Sequence, residues 1–188
     1  GLVVEGDTAT LSIPDWLALL QRMVEPRAAP GARDNAAART AAALASIGDR
    51  LQRANITVDR METGALPLDQ AALRIARSEE GVRLELASRQ VEAALRLPAG
   101  YRVGDERLLV LDIERLALPA GAGGAAGVAI SPLAFPSMKL SARNLRIAGE
   151  DYGSWALEAR AQPDGLQFAS VTGNWRALDI FGQGAWRV

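Results

Sequence analysis

The chain carries one pattern twice, at a constant offset of 84 residues. Ala54-Asn-Ile-Thr-Val-Asp-Arg-Met61, Ala71-Ala-Leu-Arg-Ile75 and Gly81-Val-Arg-Leu-Glu-Leu86 correspond to Met138-Lys-Leu-Ser-Ala-Arg-Asn-Leu145, Trp155-Ala-Leu-Glu-Ala159 and Gly165-Leu-Gln-Phe-Ala-Ser170. Ile56 then matches Leu140, Leu73 matches Leu157, Gly81 matches Gly165 and Leu84 matches Phe168, with no gap. A fixed offset of this kind marks a repeat architecture, in which each unit needs its neighbours to bury its apolar side. Such chains work through long continuous surfaces more often than through compact pockets.

Within the repeated segments the apolar period is that of a strand. Val82, Leu84 and Leu86 alternate with Arg83 and Glu85, and Leu73 and Ile75 flank Arg74. Leu109, Leu111 and Ile113 alternate with Asp112 and Glu114, after which Leu116 and Leu118 fall out of phase; a bulge near Arg115 would return them to the apolar side. The same slip separates Ile56 and Val58 from Met61, and Leu140 and Ala142 from Leu145. Residues 137–147, 153–161, 165–172 and 178–188 are expected as four successive antiparallel strands, turning at Gly149-Glu-Asp151, Gln162-Pro-Asp-Gly165 and Gly173-Asn174.

The N-terminal part reads differently. Leu2-Val-Val4 and Thr8 to Ile13 suggest a short strand pair turning at Gly6-Asp7. Ser12-x-x-Asp15 with Pro14 opens a helix carrying Trp16, Leu17, Leu19, Leu20 and Met23. Asp34 can cap a second, alanine-rich helix running to about Arg53, whose larger apolar residues Leu44, Ile47 and Leu51 form a narrow stripe. The expected organisation is therefore 1–54 as opening strands plus two helices, 55–118 as a first β-repeat, 119–137 as a Gly/Ala/Pro-rich excursion and 138–188 as a second β-repeat. The fold class is mainly β with two helices (α+β), built on an elongated, twisted antiparallel sheet of repeated meanders. A chain that opens on Gly1 and stops on Val188, directly after a strand, is expected to be a section of a much longer protein.

Composition removes several function classes. A net charge of −1 supplies no field for nucleic acid, which is not expected as a partner. With no histidine and no cysteine, the usual nucleophile–base pairs, disulfides and zinc–thiolate sites have no ligands to use. Asp112 and Glu114 lie two apart on a strand and imitate a catalytic carboxylate pair, but the opposite side of that strand is apolar, so a solvated outer face accounts for them. Glu79-Glu80 reads as a hairpin turn. Gly121-Ala-Gly123-Gly-Ala-Ala126 has the spacing of a dinucleotide fingerprint, yet Ile130-Ser-Pro132 follows where a helix would have to begin. No catalytic residue, metal or cofactor is expected, and no apolar run approaches the ~20 residues that span a bilayer.

Leu140-Ser-Ala-Arg-Asn-Leu-Arg-Ile147, Tyr152-Gly-Ser-Trp-Ala-Leu-Glu-Ala-Arg160, Asp164-Gly-Leu-Gln-Phe168 and Gly182-Gln-Gly-Ala-Trp-Arg187 together resemble the C-terminal AsmA-like repeats of the YhdP family. The segment Gly1-Leu-Val-Val-Glu-Gly6 with Leu11 and Asp15-Trp-Leu-Ala-Leu19 is similar to the stretch that introduces those repeats. The match rests on apolar and glycine positions over about two thirds of the chain. It implies a periplasmic section of an inner-membrane-anchored protein of a diderm bacterium, with an apolar groove that conducts phospholipid between inner and outer membranes. Its partners would be phospholipid acyl chains and neighbouring repeats of the same chain.

The residue pattern meets that implication on physical grounds. Carrying a sixteen-carbon acyl chain through water costs about 12 kcal/mol, at ~0.8 kcal/mol per exposed methylene. An unbroken apolar path removes that cost without enzyme chemistry. The candidate lining is Leu73, Ile75, Val82, Leu84, Leu86, Leu109, Leu111, Ile113, Trp155, Leu157, Leu166 and Phe168, with Arg83, Glu85, Asp112, Glu114, Glu158 and Arg160 on the solvated side. The alternative is a closed core of the ordinary kind, in a non-enzymatic envelope module that docks a partner protein.

Overall fold

In the computed structural model, residues 2–15, 51–63, 66–101, 105–120 and 131–188 are described. They form one open mixed sheet of 11 strands. The first five strands in chain order are β1 (Leu2–Ser12), β2 (Leu51–Glu62), β3 (Pro67–Ser78), β4 (Gly81–Ala87) and β5 (Val91–Pro98). Then come β6 (Leu109–Leu118), β7 (Met138–Ile147), β8 (Glu150–Asp151), β9 (Ser154–Gln162), β10 (Gly165–Trp175) and β11 (Leu178–Arg187). Neighbours in space are neighbours in sequence, except that the two-residue β8 pairs only with β7 and β9 takes the next place in the sheet.

The expectation of a wholly antiparallel sheet is corrected at two joints. β1 pairs parallel to β2, and β6 pairs parallel to β7. Parallel neighbours need a crossover of a dozen or more residues, and the two long intervening segments, 13–50 and 119–137, supply one each. Every other pairing is antiparallel. The order of directions is therefore the same in both halves: a parallel step, then antiparallel steps through three further strands.

Three local expectations also change. β1 runs unbroken through Gly6-Asp7, because β2 supplies hydrogen-bonding partners along its length and Gly6 pairs with Ile56. β2 begins at Leu51, so the alanine-rich helix does not reach Arg53. Gly173-Asn174 lies inside β10, and the turn falls at Arg176-Ala177, where Arg176 takes φ 56°. Residues 13–15 are helical and the Asp15 N–H donates to Ser12 Oγ at 3.3 Å, the cap that Ser12-x-x-Asp15 predicts. The remainder of that helix, the body of the second one and the Gly121–Ala126 fingerprint lie outside the described residues.

The 84-residue offset reappears in the register. Ile56 pairs with Leu73 as Leu140 pairs with Leu157, and Ile75 pairs with Leu84 as Ala159 pairs with Phe168. Gly81 and Gly165 each follow a two-residue turn, at φ 141° and 151°. A Cβ on either would sit 2.0 Å from a backbone carbonyl of the next strand, Leu97 O and Trp186 O respectively, so both positions require glycine.

The phase slip read from the sequence is present as well. Val58 and Met61 are both buried in one cluster with Leu68 and Ala71 although they stand three positions apart along β2. Between them the pairing with β3 omits Asp59 and Gln70, and Gln70 takes φ 53°. In the second half the β6–β7 pairing omits Glu114 and Arg143 in the same way, and the register of β5 shifts opposite Glu114. The irregular residue is Glu114, next to the expected Arg115.

Candidate functional site

Cross-strand partners share a face of a sheet, so the register identifies which side chains lie together. One row crosses ten strands: Val4, Ala54, Ile75, Leu84, Leu95, Leu111, Leu140, Leu157, Val171 and Gly182. The adjacent row on that face is Gly6, Ile56, Leu73, Leu86, Ala93, Ile113, Ala142, Trp155, Gly173 and Ile180. Neither row contains a charged or polar side chain. On the other side of the first row, Val82 pairs with Leu97, Leu109 with Met138, and Ala159 with Phe168.

The twelve predicted lining residues all belong to this one apolar face. Eleven of them are only half-buried, and Leu166 alone is buried, at 4 % exposure. On the same face Ala54, Ala142 and Ala159 are buried as well. Among the described residues the buried cluster lies at one corner: Val58, Met61, Leu68 and Ala71, with Leu11, Ile13 and Leu66 packed on it. Leu73 and Leu86 also pack against that cluster. At the diagonally opposite corner a 3-10 turn, Pro132–Ala134, packs on β10, and Phe135 meets Trp186 with ring centroids 6.1 Å apart. Trp186 pairs directly with Leu166, which explains why Leu166 is covered. The buried Ser137 anchors this segment: its Oγ accepts from Ala161 N at 3.0 Å and its carbonyl accepts from Leu109 N at 3.0 Å.

The reverse face is charged and tied together by ion pairs. Arg83 meets Glu85 at 2.7 Å, Arg143 meets Glu114 at 2.7 Å and Arg160 meets Glu158 at 2.8 Å. Asp112 accepts from Ser141 Oγ at 2.7 Å and from Arg96. Its carboxyl is held below the usual carboxylate range, chiefly by the Ser141 hydroxyl, with the Arg96 guanidinium assisting. All six residues expected on the solvated side are therefore engaged there. Exposed pairs of this type contribute little stability each; their consequence is to fix which side of the sheet faces water.

Several members of the apolar face were missed from sequence. Ile56, Leu95, Leu97, Met138, Leu140 and Val171 lie in the same rows as the predicted residues. Leu95 and Leu97 flank Arg96 in strand-like alternation, a signal obscured by the helix-forming Glu92-Ala-Ala-Leu95 that contains it. Among the described residues no group of His, Cys, Asp or Glu could hold a metal ion, and no helix is long and apolar enough to cross a membrane. No family model, curated protein or solved structure matches this chain.

Proposed function

We propose that the chain is a lipid-conducting section of an AsmA-like protein of the diderm envelope, with its apolar face forming the inside of a curled sheet. Phospholipid acyl chains would lie along the rows through Leu84, Leu111 and Leu157, and the ion-paired reverse face would stand in the periplasm. The single observation that supports this most is the ten-strand row of uncharged positions, seven of them half-buried, on a sheet whose other face is ion-paired. An apolar tract of that extent is rare on a soluble surface without a ligand or partner.

The reading is non-enzymatic and treats the two halves as repeat units. The parallel step followed by three antiparallel strands, the shared registers and the paired glycines Gly81 and Gly165 support that treatment. Neighbouring repeats would continue the sheet at its two outer strands, β1 and β11, as β6 continues from β5. The resemblance to the YhdP family supplies the compartment, the inner-membrane anchor and phospholipid as cargo.

Recovering the chain from bacterial envelopes and identifying bound lipid by mass spectrometry tests the proposal. The wild type should carry phospholipid, and Leu111→Asp should lose it while keeping its strand signal in circular dichroism. A folded wild type free of lipid would refute the conduit.

A second reading has its own support. Leu178 and Phe181 on β11 are 59 % and 78 % exposed, and they could dock an envelope protein in a closed-core interaction module. Under that reading Phe181→Ser abolishes capture of the partner; under the conduit reading it leaves lipid binding unchanged.

A further inference from the structure

The sheet is open at both ends: among the described residues β1 pairs only with β2, and β11 only with β10. Each outer strand therefore presents a row of backbone N–H and C=O groups that can template another strand. Nine of the eleven residues of β1 and nine of the ten of β11 are exposed. Neither strand contains a lysine or a proline, the residues that natural sheets place on edges against further pairing.

The register identifies what each edge matches. β1 lies on β2 as β6 lies on β7: Val4 with Ala54 answers to Leu109 with Met138, Gly6 with Ile56 to Leu111 with Leu140, and Thr8 with Val58 to Ile113 with Ala142. The irregularity recurs at the same place, since Ala9 and Asp59 drop out of one pairing, and Glu114 and Arg143 out of the other. Beyond it Leu11 with Met61 answers to Leu116 with Leu145. β11 in turn lies on β10 as β5 lies on β4: Trp186 with Leu166 answers to Leu97 with Val82, and Gly184 with Phe168 to Leu95 with Leu84. β1 is thus a second β6, and β11 a second β5. Inside the chain β5 and β6 are joined antiparallel, with Leu95 opposite Leu111.

We propose that copies of this chain associate head to tail, β11 of one copy pairing antiparallel with β1 of the next in the register of β5 and β6. Gly184 then stands opposite Gly6, Trp186 opposite Val4 and Val188 opposite Leu2. Past the register shift that separates Ala93 from Glu92, Ile180 stands opposite Leu11. These contacts cover apolar side chains that are otherwise open: Val4, Trp186, Leu2 and Val188 are 36 %, 40 %, 52 % and 78 % exposed. The reverse face matches as well. Arg187 falls opposite Val3 with Glu5 on the diagonal, the relation that Arg96 has to Val110 and to Asp112, its ion-pair partner. The apolar and charged faces both continue across the joint. The pairing rests on the reading of the two halves as repeat units and is independent of what the apolar face carries.

The full 188-residue chain has no cysteine, so introduced thiols report the joint directly. A Cβ on Gly6 or Gly184 would have nothing within 4 Å, and cysteine fits at both. Gly6→Cys chains mixed with Gly184→Cys chains should form a disulfide-linked dimer under mild oxidation, and neither variant should do so alone. Gly6→Cys mixed with Ala185→Cys, whose thiol points to the other face, should not link. The wild type should gain mass with concentration in sedimentation and pass beyond the dimer, because each added copy exposes a fresh β1 or β11. Linkage of either variant alone at the yield of the mixture shows like edges meeting and overturns the pairing. Equal linkage at Ala185 overturns the register. A folded chain that stays monomeric and unlinked overturns self-association and leaves these edges to a different strand. If that monomer still carries phospholipid, the conduit stands without the joint.

Discussion

The indole of Trp155 lies across the backbone of Gly173, its direct partner on β10: a Cβ built on Gly173 would come within 2.6 Å of Trp155 Cε3. This tryptophan of the apolar face is thus accommodated by the absence of a side chain opposite it. Gly173→Ala should cost about 1–3 kcal/mol through overpacking. The penalty should shrink in a Trp155→Leu background, and urea denaturation of the four proteins of that cycle measures the coupling.

Gly81 and Gly165 make a second prediction. Replacing either by alanine combines a strained backbone with a clash against a carbonyl of the adjacent strand. Each substitution should cost at least about 1–3 kcal/mol. Gly149→Ala, at φ 84° with nothing within 4 Å of the added atom, should be the milder change at about 1–2 kcal/mol. Equal losses at all three positions in thermal unfolding would contradict the assignment of the hairpin glycines.

Core and conduit positions should separate in stability measurements. Leu68 is 2 % exposed within the buried cluster, and Leu68→Ala should cost about 2–5 kcal/mol. Leu95 is half-buried on the apolar face, so Leu95→Ala should cost distinctly less and should weaken lipid retention instead. Comparable destabilisation by both would move Leu95 into a closed core.

Asp112 gives the pH dependence. Its carboxyl titrates lower in the folded chain than in the unfolded one, because Ser141 and Arg96 stabilise its ionised form. The associated stability is present above the usual carboxylate range and is lost as pH falls through the lowered folded value. Asp112→Asn should therefore flatten the acid limb of the urea midpoint and leave its neutral plateau without a pH slope from this group. An unchanged acid limb would show that the Ser141 contact carries no linkage.

How much of this was legible in the sequence follows from what period can encode. Alternation placed Leu84, Leu111 and Phe168 on one face and Arg83 and Asp112 on the other, because a strand's side chains change sides at every residue. The slip at Met61 and the glycines at 81 and 165 were legible because steric demands leave a mark on residue type. Strand direction leaves no such mark: Leu111 beside Leu140 looks the same whether the pair is parallel or antiparallel, and only the length of the 119–137 connection distinguishes them. Gly173 was read as a turn because glycine serves both turns and close packing, and nothing local to β10 names Trp155 as its partner.

The central claim is that the apolar face meets lipid, and in-cell photo-crosslinking at adjacent positions of β4 tests it most directly. A photoreactive residue at Leu84 should capture phospholipid, and one at Arg83, on the ion-paired face, should capture none. Capture at neither position by a folded chain, or equal capture at both, would contradict a lipid-facing surface on one side of this sheet.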